Sequence, residues 1–331
     1  MWQTMLLSIA LGGLTVFLLW YLLPRSSSFN LPDLLDTPED PRRLWLSADG
    51  FFRRHKLVPF GSPAYQSAVD PPRVPPHRSF LPRETEDFVH RLWRFGTSAK
   101  LTSWSGPNSR HWLALDRFGR NVYIKLCPLD SNEWKILEYL SDTTPDRHPW
   151  NRTIPIIEFI RTPLSMVILQ ACWGSSAFSP PWDSLRTRLY LARQLLQGLT
   201  YMHMKGVAHG DVHPENISLF DFQLAFIDFE NSIRVPAGSL QALAPVGDIR
   251  PPEPFGAPEL VSTSHVDFFA ADVFSVGQVL LSELQSAGTS QQTSIPRYLG
   301  LLTKMTVPSP TQRPSAAEAL RGLEEIIGDC L

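Results

Sequence analysis

The spacing of apolar side chains changes period along this chain. "NVYIKL" (121–126) alternates as a strand does, and "HWLALDRFGR" (111–120) reads as its hairpin partner across a Phe-Gly turn. "NEWKILEYL" (132–140) sets Trp134, Ile136, Leu137 and Leu140 at helical intervals, and "IPIIEFI" (154–160) and "LSMVIL" (164–169) predict two more strands. A long amphipathic helix is predicted for "DSLRTRLYLARQLLQGLTYMHMKG" (183–206), with Asp183 or Ser184 suited to its N-cap and Gly206 to its C-cap. The polar stretch "GVAHGDVHPENI" (206–217) follows at once. Then "FQLAFIDFE" (222–230) predicts a short strand ending in an acid, and "FFAADVFSVGQVLLSELQ" (268–285) and "SAAEALRGLEEII" (315–327) predict helices. Strands come first and helices later, with no internal repeat.

Two N-terminal segments break this pattern. Residues 5–23 carry no charge and would span roughly 28 Å as a helix, the thickness of a bilayer's hydrocarbon core. Basic residues begin only at Arg25, followed by Arg42, Arg43, Arg53, Arg54 and Lys56, so the positive-inside rule puts the rest of the chain in the cytoplasm. A cleaved signal peptide is the rival reading. The basic n-region is missing, however, and the apolar run is long for a leader, which favours an anchor. Between Pro24 and Pro82 lie 11 of the 30 prolines, as in a linker. Within it "LWLSADGFF" (44–52) is too aromatic for a solvated tether, and is expected to pack on the following domain or on the membrane surface.

Composition narrows the function classes. Thirty basic and 32 acidic residues give a net charge of −2, so no basic field recommends nucleic acid as a partner. Cys127, Cys172 and Cys330 are far apart, with neither zinc-site nor disulfide spacing, as in a reducing compartment. A hydrophobic content of 43% supplies a sizeable core.

The chemistry concentrates near the polar loop. Phosphoryl transfer requires a carboxylate to receive the proton of the attacking hydroxyl, and oxygen ligands for a hard cation. Asp211 and Asn216 lie five apart in the loop, and Asp228 ends the next predicted strand. "HGDVHPEN" and "DFE" here resemble the H-R-D-x-x-x-x-N and D-F-G motifs of the protein-kinase superfamily. "VYIK" resembles that family's V-A-I-K strand, "NEWKIL" its regulatory helix, "APEL" its A-P-E, and "ADVFSVG" and "PTQRPSAAEAL" its C-terminal blocks.

The resemblance implies an α+β, bilobal kinase-like fold over residues 84–328, preceded by a transmembrane anchor (1–24) and a proline-rich linker (25–83). The small β-rich N-lobe is expected over about 84–170 and the larger helical C-lobe over about 174–328. It further implies Asp211 as catalytic base, Asn216 and Asp228 as Mg²⁺ ligands, and Lys125 on the α- and β-phosphates of ATP. Glu133 is the implied ion-pair partner of Lys125, with Glu138 as the alternative on the same helix. His213 stands where serine/threonine kinases carry a lysine, and is a catalytic candidate toward the transferring phosphoryl group. Lys125, Gly106, Leu169 and Cys172 form the nucleotide-contacting set. Asp272, Glu259 and Arg313 are supporting residues, and His209 packs beneath the loop against Phe229 and Leu137.

The family pattern is also broken in places. Gly106 is the only glycine in "LTSWSGPNSRHW" (101–112), where the family has a glycine-rich phosphate loop, and Ser103 and Asn108 are the side chains available to replace it. Glu230 replaces the D-F-G glycine, and Gly210 replaces the arginine that holds a phosphorylated activation loop in many relatives. Between Asn231 and Gly256 the only hydroxyls are Ser232 and Ser239.

Three readings follow. The first is a divergent, single-pass membrane-anchored kinase using ATP and Mg²⁺ on serine or threonine hydroxyls of a protein substrate. The second is a pseudokinase scaffold. The third is a small-molecule phosphotransferase of the aminoglycoside and choline kinase type, whose H-G-D-x-H-x-x-N motif the loop also resembles. The "APEL", "ADVFSVG" and "PTQRPSAAEAL" blocks favour a protein kinase over the third.

Overall fold

A computed structural model of the chain describes residues 45, 48–62, 64, 110–117, 121–141, 148–163, 165–171, 175–176, 185–220, 223–246, 252–286 and 296–330. The apolar segment 5–23 and Gly106 and Cys172 lie outside the described residues. Among the described residues no helix is long and apolar enough to cross a membrane. The chain divides into two compact units, Met1–Ser131 with Pro155–Cys172, and Asn132–Ile154 with Trp173–Leu331.

The first unit is built on an antiparallel five-stranded sheet in the order β1-β2-β3-β5-β4. Its strands are β1 (Val58–Pro59), β2 (His111–Leu115), β3 (Asn121–Pro128), β4 (Ile156–Arg161) and β5 (Ser165–Ala171). The expected hairpin is present, with Leu115 opposite Asn121 and His111 opposite Lys125. On β3, Val122, Ile124 and Leu126 are fully buried on one face, as period-two alternation demands. Lys125 points to the other face and is also buried.

The edge strand of this sheet comes from the segment read as linker. Val58 pairs with Leu115 and Pro59 with Ala114. Proline is tolerated there because an edge strand need not give an N–H on its outer side. Helix α1 (Asp49–Arg54) precedes it, with Asp49 in its first turn and Arg53 and Arg54 in its last, the arrangement that suits the helix dipole.

Trp45 stacks on Trp112 of β2 at 5.9 Å and tilts against Phe52 at 6.2 Å. All three are buried in one cluster with Leu57, Val58 and Ile124. The aromatic stretch therefore packs on the sheet, and the sheet-bearing unit draws residues from upstream of the expected start at 84.

The second unit centres on α3 (Leu185–Met204), whose Leu189, Ala192, Leu195, Leu196, Leu199 and Met202 are buried. Gly206 sits at φ +74 just past its end, where an added Cβ would lie 2.3 Å from the Val235 carbonyl oxygen, so the expected C-cap needs glycine twice over. Helix α2 (Asn132–Leu140) belongs to this unit, as do α4 (Glu259–Ser262), α5 (Phe268–Ser286), α6 (Pro296–Met305) and α7 (Ala316–Cys330). Asn151 ties α2 to the helical core by donating to the Leu140 carbonyl at 2.8 Å and to the Tyr201 hydroxyl at 3.4 Å. Helix α7 packs on α3, and Ser315 opens it with a capping box, its N–H and hydroxyl both donating to Glu318 Oε2 at 2.8 Å. Those bonds from Ser315 hold the Glu318 carboxyl below its ordinary value.

Short strands frame the polar loop. They are β6 (Ser175–Ser176), β7 (Val207–Ala208), β8 (Ile217–Phe220), β9 (Gln223–Phe226) and β10 (Ile233–Arg234), followed by β11 (Leu243–Pro245) and β12 (His265–Asp267). β7 pairs with β10, β8 with both β6 and β9, and β11 with β12.

If the upstream aromatic segment is part of the sheet's core, Trp45→Ala is expected to destabilise the sheet-bearing unit by about 3–5 kcal/mol. Urea unfolding of the full chain, followed by tryptophan fluorescence, measures this. A change within about 0.5 kcal/mol, as for a surface residue, would contradict that packing.

Candidate functional site

The loop between α3 and β8 is fixed by one buried carboxylate. Asp272, in the first turns of α5, accepts the His209 backbone N–H at 2.8 Å on Oδ2 and the Gly210 N–H at 2.9 Å on Oδ1. His203 Nε2 lies 3.1 Å from the same Oδ2, and its ring stacks on Phe269 at 4.2 Å. A carboxylate accepts, so His203 carries its proton on Nε2. Asp272 thus performs the supporting role expected of it.

Beneath the loop His209 is fully buried. Its Nε2 donates to the Ile227 carbonyl at 3.0 Å, and its Nδ1 accepts from the Asp211 N–H at 3.3 Å. Both ring nitrogens are satisfied by the neutral tautomer with the proton on Nε2. The ring packs on Phe229 at 4.9 Å and Phe226 at 5.7 Å, as expected for Phe229.

Asp211 has two unlike oxygens. Oδ2 accepts from Asn216 Nδ2 at 3.1 Å and from Asn231 Nδ2 at 3.1 Å. Oδ1 is buried and has no hydrogen-bond partner among the described residues, and the nearest ionisable atom to it is His213 Nε2, 3.7 Å away. Asn216 is brought to Asp211 by the 3-10 turn Pro214–Asn216, and also donates to the Asp211 carbonyl at 2.9 Å. With that nitrogen committed, Oδ1 of Asn216 is the atom left for a cation.

Asp228 follows β9 by two residues and holds φ +61, a conformation that costs most side chains and that Asp tolerates better than most. Glu230, two residues on, is exposed and is not among the positive-φ residues, so the missing glycine is not demanded by this backbone. Asn216 and Asp228 supply the oxygen donors that suit Mg²⁺. Among the described residues no group of three or more His, Cys, Asp or Glu side chains converges, so a cation here would share its shell with phosphate and water rather than sit in an all-protein cage.

Gly210 explains its own departure from the family arginine. Its φ is +79, and an added Cβ would stand 2.5 Å from the Asn231 carbonyl oxygen. Any larger side chain must displace that turn. Ser232, one of two hydroxyls in the following segment, is buried and donates to the His209 carbonyl at 2.8 Å, whereas Ser239 bonds Pro236 at the surface.

Glu259 and Arg313 form the expected ion pair. Arg313 Nη1 and Nη2 reach Glu259 Oε1 and Oε2 at 2.5 and 2.8 Å. Arg313 also donates to the carbonyls of Val307, Ala270 and Pro308, and its guanidinium lies over Phe274 at 4.8 Å.

In the sheet-bearing unit Lys125 and Leu169 are buried on β3 and β5, one strand apart. Glu133 is buried in the first turn of α2, whereas Glu138 is exposed, so of the two candidates only Glu133 is withdrawn from water.

Asn231 was not singled out from the sequence. It lies three residues beyond Asp228 in "IDFENS", and only the fold returns it to Asp211.

The family model of the protein kinase domain matches residues 184–298, which carry this loop. The chain is 39% identical over 94 residues to the serine/threonine-protein kinase chk1 of Schizosaccharomyces pombe, covering 28% of this chain and 18% of that one. It is 25% identical over 269 residues to sperm motility kinase 2A of Mus musculus, covering 72% of this chain and 50% of that one. To mitogen-activated protein kinase kinase kinase 8 of Rattus norvegicus it is 26% identical over 149 residues, 43% of this chain and 27% of that one. The chain thus spans half or less of the length of each of these relatives. The matched segment and these relatives support a protein-kinase-like chain, divergent at low identity.

Two substitutions probe the framework. Gly210→Ala is expected to cost about 1–3 kcal/mol through positive φ and the Asn231 contact. Glu259→Ala is expected to cost about 3–5 kcal/mol by leaving the buried Arg313 charge uncompensated. Both are read by denaturant unfolding, and a Glu259→Ala protein as stable as the parent would remove the pair's structural role.

Proposed function

We propose that the chain is a protein kinase that transfers the γ-phosphoryl group of ATP to a serine or threonine hydroxyl of a protein substrate. The observation that carries this reading is the unequal pair of oxygens on Asp211. Oδ2 is held by two amide donors, and buried Oδ1 is left as an acceptor. A carboxylate pinned by one oxygen presents the other in a fixed direction, as a base that must orient a substrate hydroxyl and receive its proton requires. His213, 3.7 Å from Oδ1, in this reading turns an N–H toward the oxygens of the transferring phosphoryl group.

Mg²⁺, when bound, would neutralise charge developing on the phosphate oxygens. Asn216 Oδ1 and Asp228 are the residues that would hold it. Lys125 and Leu169 contact the nucleotide in this reading, and Glu133 keeps the role that the family resemblance implies. The choice of serine or threonine is supported by the serine/threonine-protein kinases among the relatives. Residues 5–23 anchor the chain, with the catalytic residues on the cytoplasmic side.

A second reading, a scaffold with little turnover, draws on one observation. Only one glycine, Gly106, stands in residues 101–112, where the family has a glycine-rich phosphate loop. Backbone amides folded over a triphosphate need a short, closely held turn.

One experiment addresses both readings. Full-length protein with radiolabelled Mg-ATP and a serine/threonine peptide library is expected to transfer phosphate, and Asp211→Asn is expected to lower the rate by at least about 100-fold. Labelling that survives Asp211→Asn would remove the mechanism. Thermal unfolding with Mg-ATP is expected to show stabilisation that grows with nucleotide, about 2.7 kcal/mol at a hundredfold excess over Kd. No stabilisation at any concentration, together with no transfer, would leave the scaffold.

A further inference from the structure

We infer that Asn231 is a positioning residue for the Asp211 carboxylate, brought to it by a close backbone approach that the glycine at 210 admits. The inference rests on the reading of Asp211 as the base. A carboxylate held by one donor can still rotate about its Cβ–Cγ bond, and Asn216 supplies only one donor to Oδ2. Asn231 supplies the second, at 3.1 Å, from a different element of the chain. Two donors converging on one oxygen from separate segments fix the carboxylate plane, and they withdraw electron density from Oδ2, leaving Oδ1 the better proton acceptor. The asymmetry is visible in the burial of Oδ1 without a hydrogen-bond partner among the described residues.

The same residue meets the loop at a second point. The Asn231 carbonyl oxygen occupies the space beside Gly210 where any side chain would begin, 2.5 Å from an ideal Cβ. Asn231 therefore packs its backbone on residue 210 and its side chain on residue 211. The glycine admits the turn before β10, and the turn brings the amide. Ser232 anchors the next position by donating to the His209 carbonyl, so the approach of the turn does not depend on the Asn231 side chain.

Asn231→Leu keeps the shape and removes the donor, and Asn231→Asp keeps the shape and sets a carboxylate against a carboxylate. In full-length protein, kcat for peptide phosphorylation is expected to fall about 10- to 100-fold in Asn231→Leu and further in Asn231→Asp, because misaligned bases lose rate steeply. KM for ATP is expected to stay within about twofold, since the lost interaction serves the chemical step. Unchanged kcat in both variants, or a rise in KM for ATP at constant kcat, overturns the inference. A variant that unfolds is identified by its thermal midpoint, and the decision then passes to a measurement on the wild-type side chain. With ¹⁵N-asparagine labelling, the Asn231 side-chain amide resonance is expected to move when Asp211→Ala removes its acceptor. A resonance that stays in place overturns the inference. A wild-type chain that transfers no phosphate removes the kinase reading instead, and the amide resonance still decides whether Asn231 holds the carboxylate.

Discussion

The loop's geometry depends on a buried carboxylate that is fully occupied. Asp272 would be costly to place in the interior without partners, and it is filled by two backbone N–H groups and an imidazole N–H. Because two of those donors are the successive amides of His209 and Gly210, the charge fixes backbone rather than side chain. The rest of the loop is built on that fixed backbone by further bonds: those of the His209 ring to the Ile227 carbonyl and the Asp211 N–H, and those of Asn216 and Asn231 to Asp211. Arg313 secures the helix carrying Asp272 by donating to the Ala270 carbonyl while neutralising Glu259.

Departures from the family pattern look different once their surroundings are known. The glycine at 210 loses an arginine but gains a close approach by the turn that carries Asn231. The glutamate at 230 replaces a glycine whose conformational freedom this backbone does not use there, because the positive φ falls at Asp228 instead. A local loss in the motif is offset by a rearranged set of contacts, so motif identity and motif geometry are separate properties. Asp211 keeps one oxygen without a hydrogen-bond partner among the described residues even though the residues around it have changed.

The upstream segment makes a similar point for the sheet. Two tryptophans stacked at 5.9 Å and a two-residue edge strand join residues 45–59 to residues 111–115. Such pairing closes a long loop, which costs entropy that grows only slowly with length, and the burial of Trp45 and Phe52 offsets it. The prolines that mark the surrounding sequence as irregular do not prevent a short strand at an edge.

Where a signal was local, the sequence alone determined the answer. Helical spacing predicted helices at 132–140, 183–206, 268–285 and 315–327, and strand patterning predicted strands at 121–126 and 164–169, each within a few residues of the observed element, because a side chain's face follows from its neighbours three or four, or two, positions away. The Asp211 and Asn216 pair was legible for the same reason, since a short turn holds both ends. The segment at 45–59 was legible only as too aromatic to be solvated, and its partner strand was not, because nothing near residue 58 encodes Leu115. Asn231 was invisible for the same physical reason: an amide twenty residues from a carboxylate becomes its neighbour only when the backbone between them has folded. The candidate residues of the loop were thus legible in sequence, and the orientation that makes one oxygen of Asp211 different from the other was set by tertiary structure.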